Sequence, residues 1–419
     1  MKKTENIIGF ILLALIIVLG GIFIENKMTY FRLLVGTGFG YALMRSYAGF
    51  AGSVNRAYTT GSTSLMRNMM FLFVISSIMT AALLYGAEDP TVYKLYVNPI
   101  NVGLVFGAFL FGIGMSFSMC CASGILTDIA SISPRAVITL LFFGTGFLVG
   151  SPFAKEATWV QKTLVGTETY PNGVFLPDLF KGANSSGYFG AILLTIAFAG
   201  IVSYIAYQYE QNRRKNGTFI GVDSEKAQNS PMEPIDVENT GFFSSAVYNR
   251  LFVRPWKLST GFIMVAAMYI LLMVVTKSGW GASGPHGFWV GRFFTLFGLS
   301  AEKLAELTKG APEPFSMPFF ANPMYGQNLG IILGSLVSLL LSGAFVSSFK
   351  SEIKISLFEV GQFALGGFLM GFGSRFSNGC NVGAMFTPIS QLSLSGWIFF
   401  LIIVVGAILG NTILKKVKG

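Results

Sequence analysis

The sequence predicts an all-α polytopic membrane protein of about ten transmembrane helices, nine to eleven, in two pseudo-symmetric and inverted halves. Three observations predict it: a composition starved of charge, a series of bilayer-length apolar runs, and a motif that occurs twice. Of 419 residues, 53% are hydrophobic and only 11% are charged, against about 25% charged in soluble chains. A soluble globule of this size leaves too much surface facing water to hide that much apolar side chain, whereas lipid removes the difficulty.

Runs long enough to cross a bilayer, about 17 to 25 residues, lie near Asn6–Ile24, Phe31–Arg45, Ser64–Tyr85, Pro99–Met119, Pro134–Pro152 and Ser186–Tyr207. They resume near Leu258–Val275, Leu329–Ser347, Leu357–Ser374 and Leu394–Leu414. The first run follows Lys2 and Lys3 but lacks a small-x-small cleavage site, so it reads as a retained helix. The second run is short and Gly-interrupted, which predicts a broken or tilted helix. Residues 1–207 form an N-terminal membrane half, 208–255 a polar linker, and 256–419 a C-terminal membrane half. The linker carries Arg213-Arg214-Lys215 and a mixed-charge Pro-, Asn- and Ser-containing stretch, which predicts poor order. Its basic cluster assigns it to the cytoplasm, and alternate crossings counted outward put both termini there too. Lys415-Lys416 after the last run agree.

The net charge of +10 is dispersed over helix ends, which points to orientation and anionic lipid rather than nucleic acid. Cys120, Cys121 and Cys380, with the single histidine His286 in a Gly-Pro-rich loop, offer no disulfide framework and no metal-ligand spacing. No metal and no cofactor are expected, nor is a nucleotide-binding motif present.

The duplicated motif reads GAFLFGIGMSFSMCCASG over Gly107–Gly124 and GGFLMGFGSRFSNGCNVG over Gly366–Gly383; without a gap, nine of 18 positions are identical. The matches include Cys121/Cys380 and Gly124/Gly383, while Cys120 faces Gly379 and reads as structural. The two copies cross in opposite directions by the counted topology, and inverted repeats with Gly-interrupted helices place a transporter's site where the halves meet. Gly114/Cys121 and Gly373/Cys380 are each spaced by seven, which keeps each pair on one face if the helix continues. Gly36–Phe50, GTGFGYALMRSYAGF, resembles a weaker third copy. A thiol is a weak donor and a polarisable weak acceptor, suited to touching a soft sulfur atom in passing. Arg375 ends an apolar helix, where a charge costs roughly 2.5–3.5 kcal/mol, so it is expected to face a cavity and an oxyanion. Arg45 and Arg56 flank the third copy, and Asn378 and Asn381 are candidate amide donors or caps of a helix break.

The segment GFGSRFSNGCNVGAMFTPISQLSLSGW, Gly371–Trp397, closely resembles the signature of the YeeE/YedE membrane proteins of sulfur transport. GQNLGIILGSLVSLLLSGAF and WGASGPHGFWVGRFFTLFG are similar to the YedE-like branch, and Gly112–Ser131 and Arg45–Arg56 to the family's other cysteine segments. The resemblance implies uptake of reduced sulfur compounds, thiosulfate above all, through an hourglass-like helical fold whose cavities meet at a narrow centre lined by cysteines. It places the central cysteine on Cys121 and the later one on Cys380, and the first family cysteine on Gly49, where this chain lacks it. It further implies inner-membrane residence and a small cytoplasmic sulfurtransferase-like partner. A selenium species as substrate stands as an alternative. So does a membrane thiol oxidoreductase using Cys120-Cys121, a weaker reading because Cys380 supplies no second pair. A passive channel for neutral solutes would leave Arg375 without a purpose.

Overall fold

The computed structural model describes residues 2–182, 185–231, 241 and 244–417. All ten expected runs form long helices. They are α1 (Lys2–Phe23), α2 (Lys27–Arg45), α4 (Ser64–Tyr85), α5 (Val102–Ser118), α7 (Pro134–Glu156), α8 (Tyr188–Lys215), α10 (Leu258–Thr276), α12 (Pro323–Leu341), α13 (Leu357–Phe376) and α15 (Leu394–Val417). Shorter helices lie between them: α3 (Gly52–Thr60), α6 (Ala122–Ile129), α9 (Asp223–Asn229) and α11 (Ser283–Thr295). Finally α14 runs over 381–390, wound as a π-helix through Asn381–Phe386 and as an α-helix through Thr387–Ser390. The sheet content described is one antiparallel pair, β1 (Ile100–Asn101) with β2 (Thr163–Val165), in which Ile100 faces Val165.

Among the described residues, eight helices are long and apolar enough to cross a membrane on length and composition alone. The two long helices outside that set, α2 and α13, pack along their glycine faces on α12 and on α5 and α7. Each is studded with glycine and bears an arginine, a composition that protein contact tolerates better than lipid does. The predicted break within the second run is not found: α2 is one uninterrupted helix of 19 residues, started by the Asn26 side chain, which accepts from the Met28 and Thr29 amides.

Lipid tails are as apolar as leucine, so these helices hold together through close contact rather than through escape from water. The glycines supply that contact and reveal chain direction. A Cβ on Gly107 would lie 2.5 Å from the Gly373 carbonyl oxygen, and one on Gly114 would lie 2.6 Å from that of Gly366. As numbering rises on α5 it falls on α13, so the two copies of the repeated motif pack antiparallel. By the same reading α13 runs parallel to α7, with Gly367 over Thr139 and Gly371 over Phe143. Helix α5 runs parallel to α15 and α2 runs parallel to α12. These directions are what ten alternating crossings require. The halves also interlock: each copy's long helix packs on the other copy's third helix rather than on its own.

Where the linker is described, it is folded. Helix α8 continues to Lys215, and residues 216–231 turn back over the end of α3. There the Ile220 and Gly221 amides donate to the Thr60 carbonyl, and the Gln228 side chain donates to the Ser46 carbonyl at 2.6 Å. The expectation of poor order is therefore corrected for this stretch; residues 232–240, 242 and 243 lie outside the described residues.

Candidate functional site

The repeated motif does not continue as helix through its cysteine. Helix α5 stops at Ser118 and α13 at Phe376, so Gly114/Cys121 and Gly373/Cys380 do not share one helical face as expected. The stop is built identically in both copies. Ser118 Oγ donates to the carbonyls of Gly114 and Cys120, and Ser377 Oγ to those of Gly373 and Gly379. The next residue in each copy, Met119 (φ 57°) and Asn378 (φ 56°), takes the left-handed conformation, which costs a non-glycine residue roughly 1–2 kcal/mol. Two residues later Cys121 (φ −120°, ψ −179°) and Cys380 (φ −112°, ψ −169°) are extended and start α6 and α14. Their carbonyls accept from the Ile125 and Ala384 amides.

The third copy obeys the same rule. Ser46 Oγ donates to the Ala42 carbonyl, Tyr47 is left-handed (φ 48°), and Gly49 occupies the cysteine's place before α3. A Cβ on Gly49 would meet nothing within 4 Å.

Gly49, Cys121, Gly124 and Cys120 line one cavity of roughly 1000 Å³. Its walls come from the C-terminal ends of α2, α5, α8 and α15, the length of α3, part of α6, and the N-terminal ends of α7 and α13, all on one face of the bundle. Arg56, Arg135, Arg213 and Lys415 line it against a single acidic residue, Asp128, so its field draws anions. Asp128 takes Arg135 at 2.8 Å, and Glu225 of the folded-back segment sits 3.6 Å from Arg56. Deeper in, Asn411 Nδ2 donates to Asn55 Oδ1 and to Ser116 Oγ, both at 2.9 Å. Cys121 Sγ is 3.3 Å from Ser123 Oγ.

Cys380 is fully buried and is not among the residues lining that cavity. It starts α14 in an extended conformation, and its carbonyl accepts from the Ala384 amide at 2.7 Å. Gly383 faces Gly281 across a narrow gap, with its carbonyl held by Asn98 Nδ2 at 3.2 Å. Asn381 Nδ2 reaches Met115 Sδ of the other copy at 3.3 Å, which ties the two breaks together.

Three predicted residues stand elsewhere. Arg45 is buried and donates to the Arg254 carbonyl, while its own carbonyl takes the Trp256 amide; it clamps the start of the second half rather than lining the cavity. Arg375 lies 4.3 Å over the Phe147 ring of α7; its counterpart in the first copy, Ser116, likewise faces the other half's third helix, donating to Ala407 of α15. Asn378 is exposed, and its part is the left-handed turn itself. His286, expected in a loop, is buried in α11, with its ring nitrogens 2.7 Å from the Ala282 carbonyl and 2.9 Å from that of Ala122. It thereby fastens α11 to the Cys121 break.

The residue that sequence reasoning missed is Arg32. It sits in the first turns of α2, only 9% exposed, and donates to Gln327 Oε1 of α12 at 2.6 Å.

Antiparallel broken helices whose breaks meet beside a polar cavity define a membrane transporter of the inverted-repeat class. The chain matches the sulphur transport family over residues 45–409. It belongs to that family. It is 24% identical over 396 residues to the thiosulfate transporter TsuA of Spirochaeta thermophila, covering 90% of this chain and 97% of that one. It is also 26% identical to the probable transporter YedE of Salmonella typhimurium and 27% identical to that of Escherichia coli, each over 38% of both chains.

Proposed function

We propose that the protein carries a small sulfur-containing anion, thiosulfate first, across the cytoplasmic membrane, with both termini and segment 208–255 in the cytoplasm. The anion passes between the two breaks. Cys121 and Cys380 contact its terminal sulfur in turn, and Arg56, Arg135, Arg213 and Lys415 hold a favourable potential on the cavity side. A thiol gives a weak hydrogen bond, so it stabilises a desolvated soft anion without trapping it. The observation that carries this reading is the pair of cysteines in one backbone conformation, each starting a short helix, reached from opposite directions, with the two breaks tied by Asn381 Nδ2 on Met115 Sδ at 3.3 Å. The name of the Spirochaeta relative supports the substrate.

Gly49 favours a second substrate of the same class. With no thiol at the third break and open space around it, the cavity has room for the larger selenium analogue of thiosulfate. One test serves both. Purified protein in proteoliposomes is expected to accumulate labelled thiosulfate saturably, with unlabelled thiosulfate and selenosulfate competing better than sulfate. Accumulation no faster than in empty liposomes would contradict the proposal.

A further inference from the structure

A buried guanidinium normally has a carboxylate partner, because an uncompensated buried charge is strongly destabilising. Arg32 has none within ion-pair distance among the described residues. Its partner is a neutral amide oxygen, Gln327 Oε1. That bond fixes the Gln327 amide, since turning it would set an NH2 group against the guanidinium. Gln327 is fully buried, and its Nε2 has no hydrogen-bond partner, an orphan that costs about 1–3 kcal/mol. The pair therefore presents the remaining guanidinium N–H groups beside a free amide NH2: donors only, on two helices locked together where Gly36 meets the Gln327 backbone and Gly330 meets the Leu33 backbone.

The place of this cluster matters as much as its chemistry. Leu43 and Met44, farther along α2, line the Arg56 cavity; Arg32 precedes Leu43 by eleven residues, about 16 Å of helix, toward the other face. Asn328, next to Gln327, donates to the carbonyl of Ala282 at 2.9 Å, and Ala282 follows Gly281. A Cβ on Gly281, the residue across from Gly383, would lie 3.4 Å from the Tyr96 hydroxyl. Arg32, Gln327 and Tyr96 thus stand on the approach to Cys380, on the face opposite the cavity.

We propose that Arg32 and Gln327 form a receiving site for the oxyanion end of the transported dianion, with its terminal sulfur turned toward Cys380. This rests on the transport reading above and adds where and how the anion is first held. Guanidinium and amide N–H groups select hard oxygens in a planar fork, and the soft atom is left for the thiol. The bound anion supplies the acceptor that Gln327 Nε2 and the remaining Arg32 N–H groups need.

Gln327→Glu tests it with minimal change of shape, because a carboxylate there pairs with Arg32 and excludes the anion. Arg32→Lys keeps the charge and loses the fork. Both are expected to raise the KM for thiosulfate uptake in proteoliposomes by about tenfold or more with a smaller change in maximal rate. Elution should stay as in the wild type and the thermal midpoint should not fall, and the KM of the exposed control Lys162→Gln should be unchanged. An unchanged KM in both site variants overturns the proposal. Should wild-type protein carry no thiosulfate, the transport reading fails by itself, and the site is judged in detergent. There, thiosulfate and sulfate, each tested alone, are expected to raise the thermal midpoint of the wild type and leave Gln327→Glu unmoved. An equal shift in both proteins overturns the site.

Discussion

The two cysteine breaks are nearly the same object in different surroundings. Both are made by a serine bonded to the carbonyl four residues back, a left-handed residue and an extended cysteine. Yet Cys121, itself buried, borders a cavity rimmed by four basic residues, while Cys380, equally buried, does not border it and lies beside Gly383, whose carbonyl Asn98 holds. Local sequence sets the break; the elements packed over it set its access. The two copies are therefore locally equivalent and globally unequal, with the cavity beside one of them.

The shared seam between the copies should be the least tolerant part. Gly107→Leu drives a side chain into the α13 backbone, and overpacking of that kind costs about 3 kcal/mol. It is expected to abolish monodisperse protein in detergent size-exclusion chromatography, and a normal elution profile would show that the seam is not close-packed. Next comes access. In a Cys120→Ser background, a small methanethiosulfonate reagent is expected to modify Cys121 about tenfold faster than Cys380, a difference of ~1.4 kcal/mol in barrier. Equal rates would erase the asymmetry.

A smaller effect is expected at the rim. Glu225 accepts from Ser62 Oγ at 2.5 Å and faces Arg56 at 3.6 Å. Glu225→Gln gives up a charge-assisted bond worth about 1.5 kcal/mol. The expected results are a lower thermal midpoint and faster modification of Cys121; no change in either would remove the folded-back segment from the account of access. The smallest effect belongs to Gly49→Cys. With open space at the Cβ and no positive φ, it should change stability by less than about 0.5 kcal/mol and add a thiol that reacts from the cavity. A large loss of stability would show that Gly49 is needed for the turn.

Eight of the ten long helices were legible because membrane-crossing helices advertise themselves by continuous apolarity; α2 and α13 were read from shorter, Gly-rich runs. The equivalence of Cys121 and Cys380 was legible because both copies retained the serine, the glycines and the thiol. What stayed hidden was whatever depends on protein rather than lipid as the surroundings. Helices α6, α11 and α14 are short and sheltered by neighbours, so they need no apolar run, and His286 on α11 read as a loop residue. Asn378 carried a sign of the left-handed turn, since asparagine tolerates that region and this one was read as a candidate cap of a helix break; Met119 carried none. Arg32 drew no reading of its own from sequence, and only folding brings Gln327, 295 positions away, to its guanidinium. Arg375 misled for the converse reason. Its charge is met by the Phe147 ring of α7, a contact that insertion energetics alone does not foresee. One signal was available and unused: Asn411, a polar residue inside the last apolar run, which joins Asn55 and Ser116 at the cavity.

The central claim is that both thiols act in a single path. It is tested most directly by initial rates of labelled thiosulfate uptake for Cys120→Ser, Cys121→Ser and Cys380→Ser in proteoliposomes of matched protein content. The account predicts that Cys121→Ser and Cys380→Ser each lower the rate about a hundredfold, roughly 2.7 kcal/mol of barrier, while Cys120→Ser stays within about twofold of the wild type. Near-normal uptake by either of the first two, or loss confined to Cys120→Ser, would contradict it.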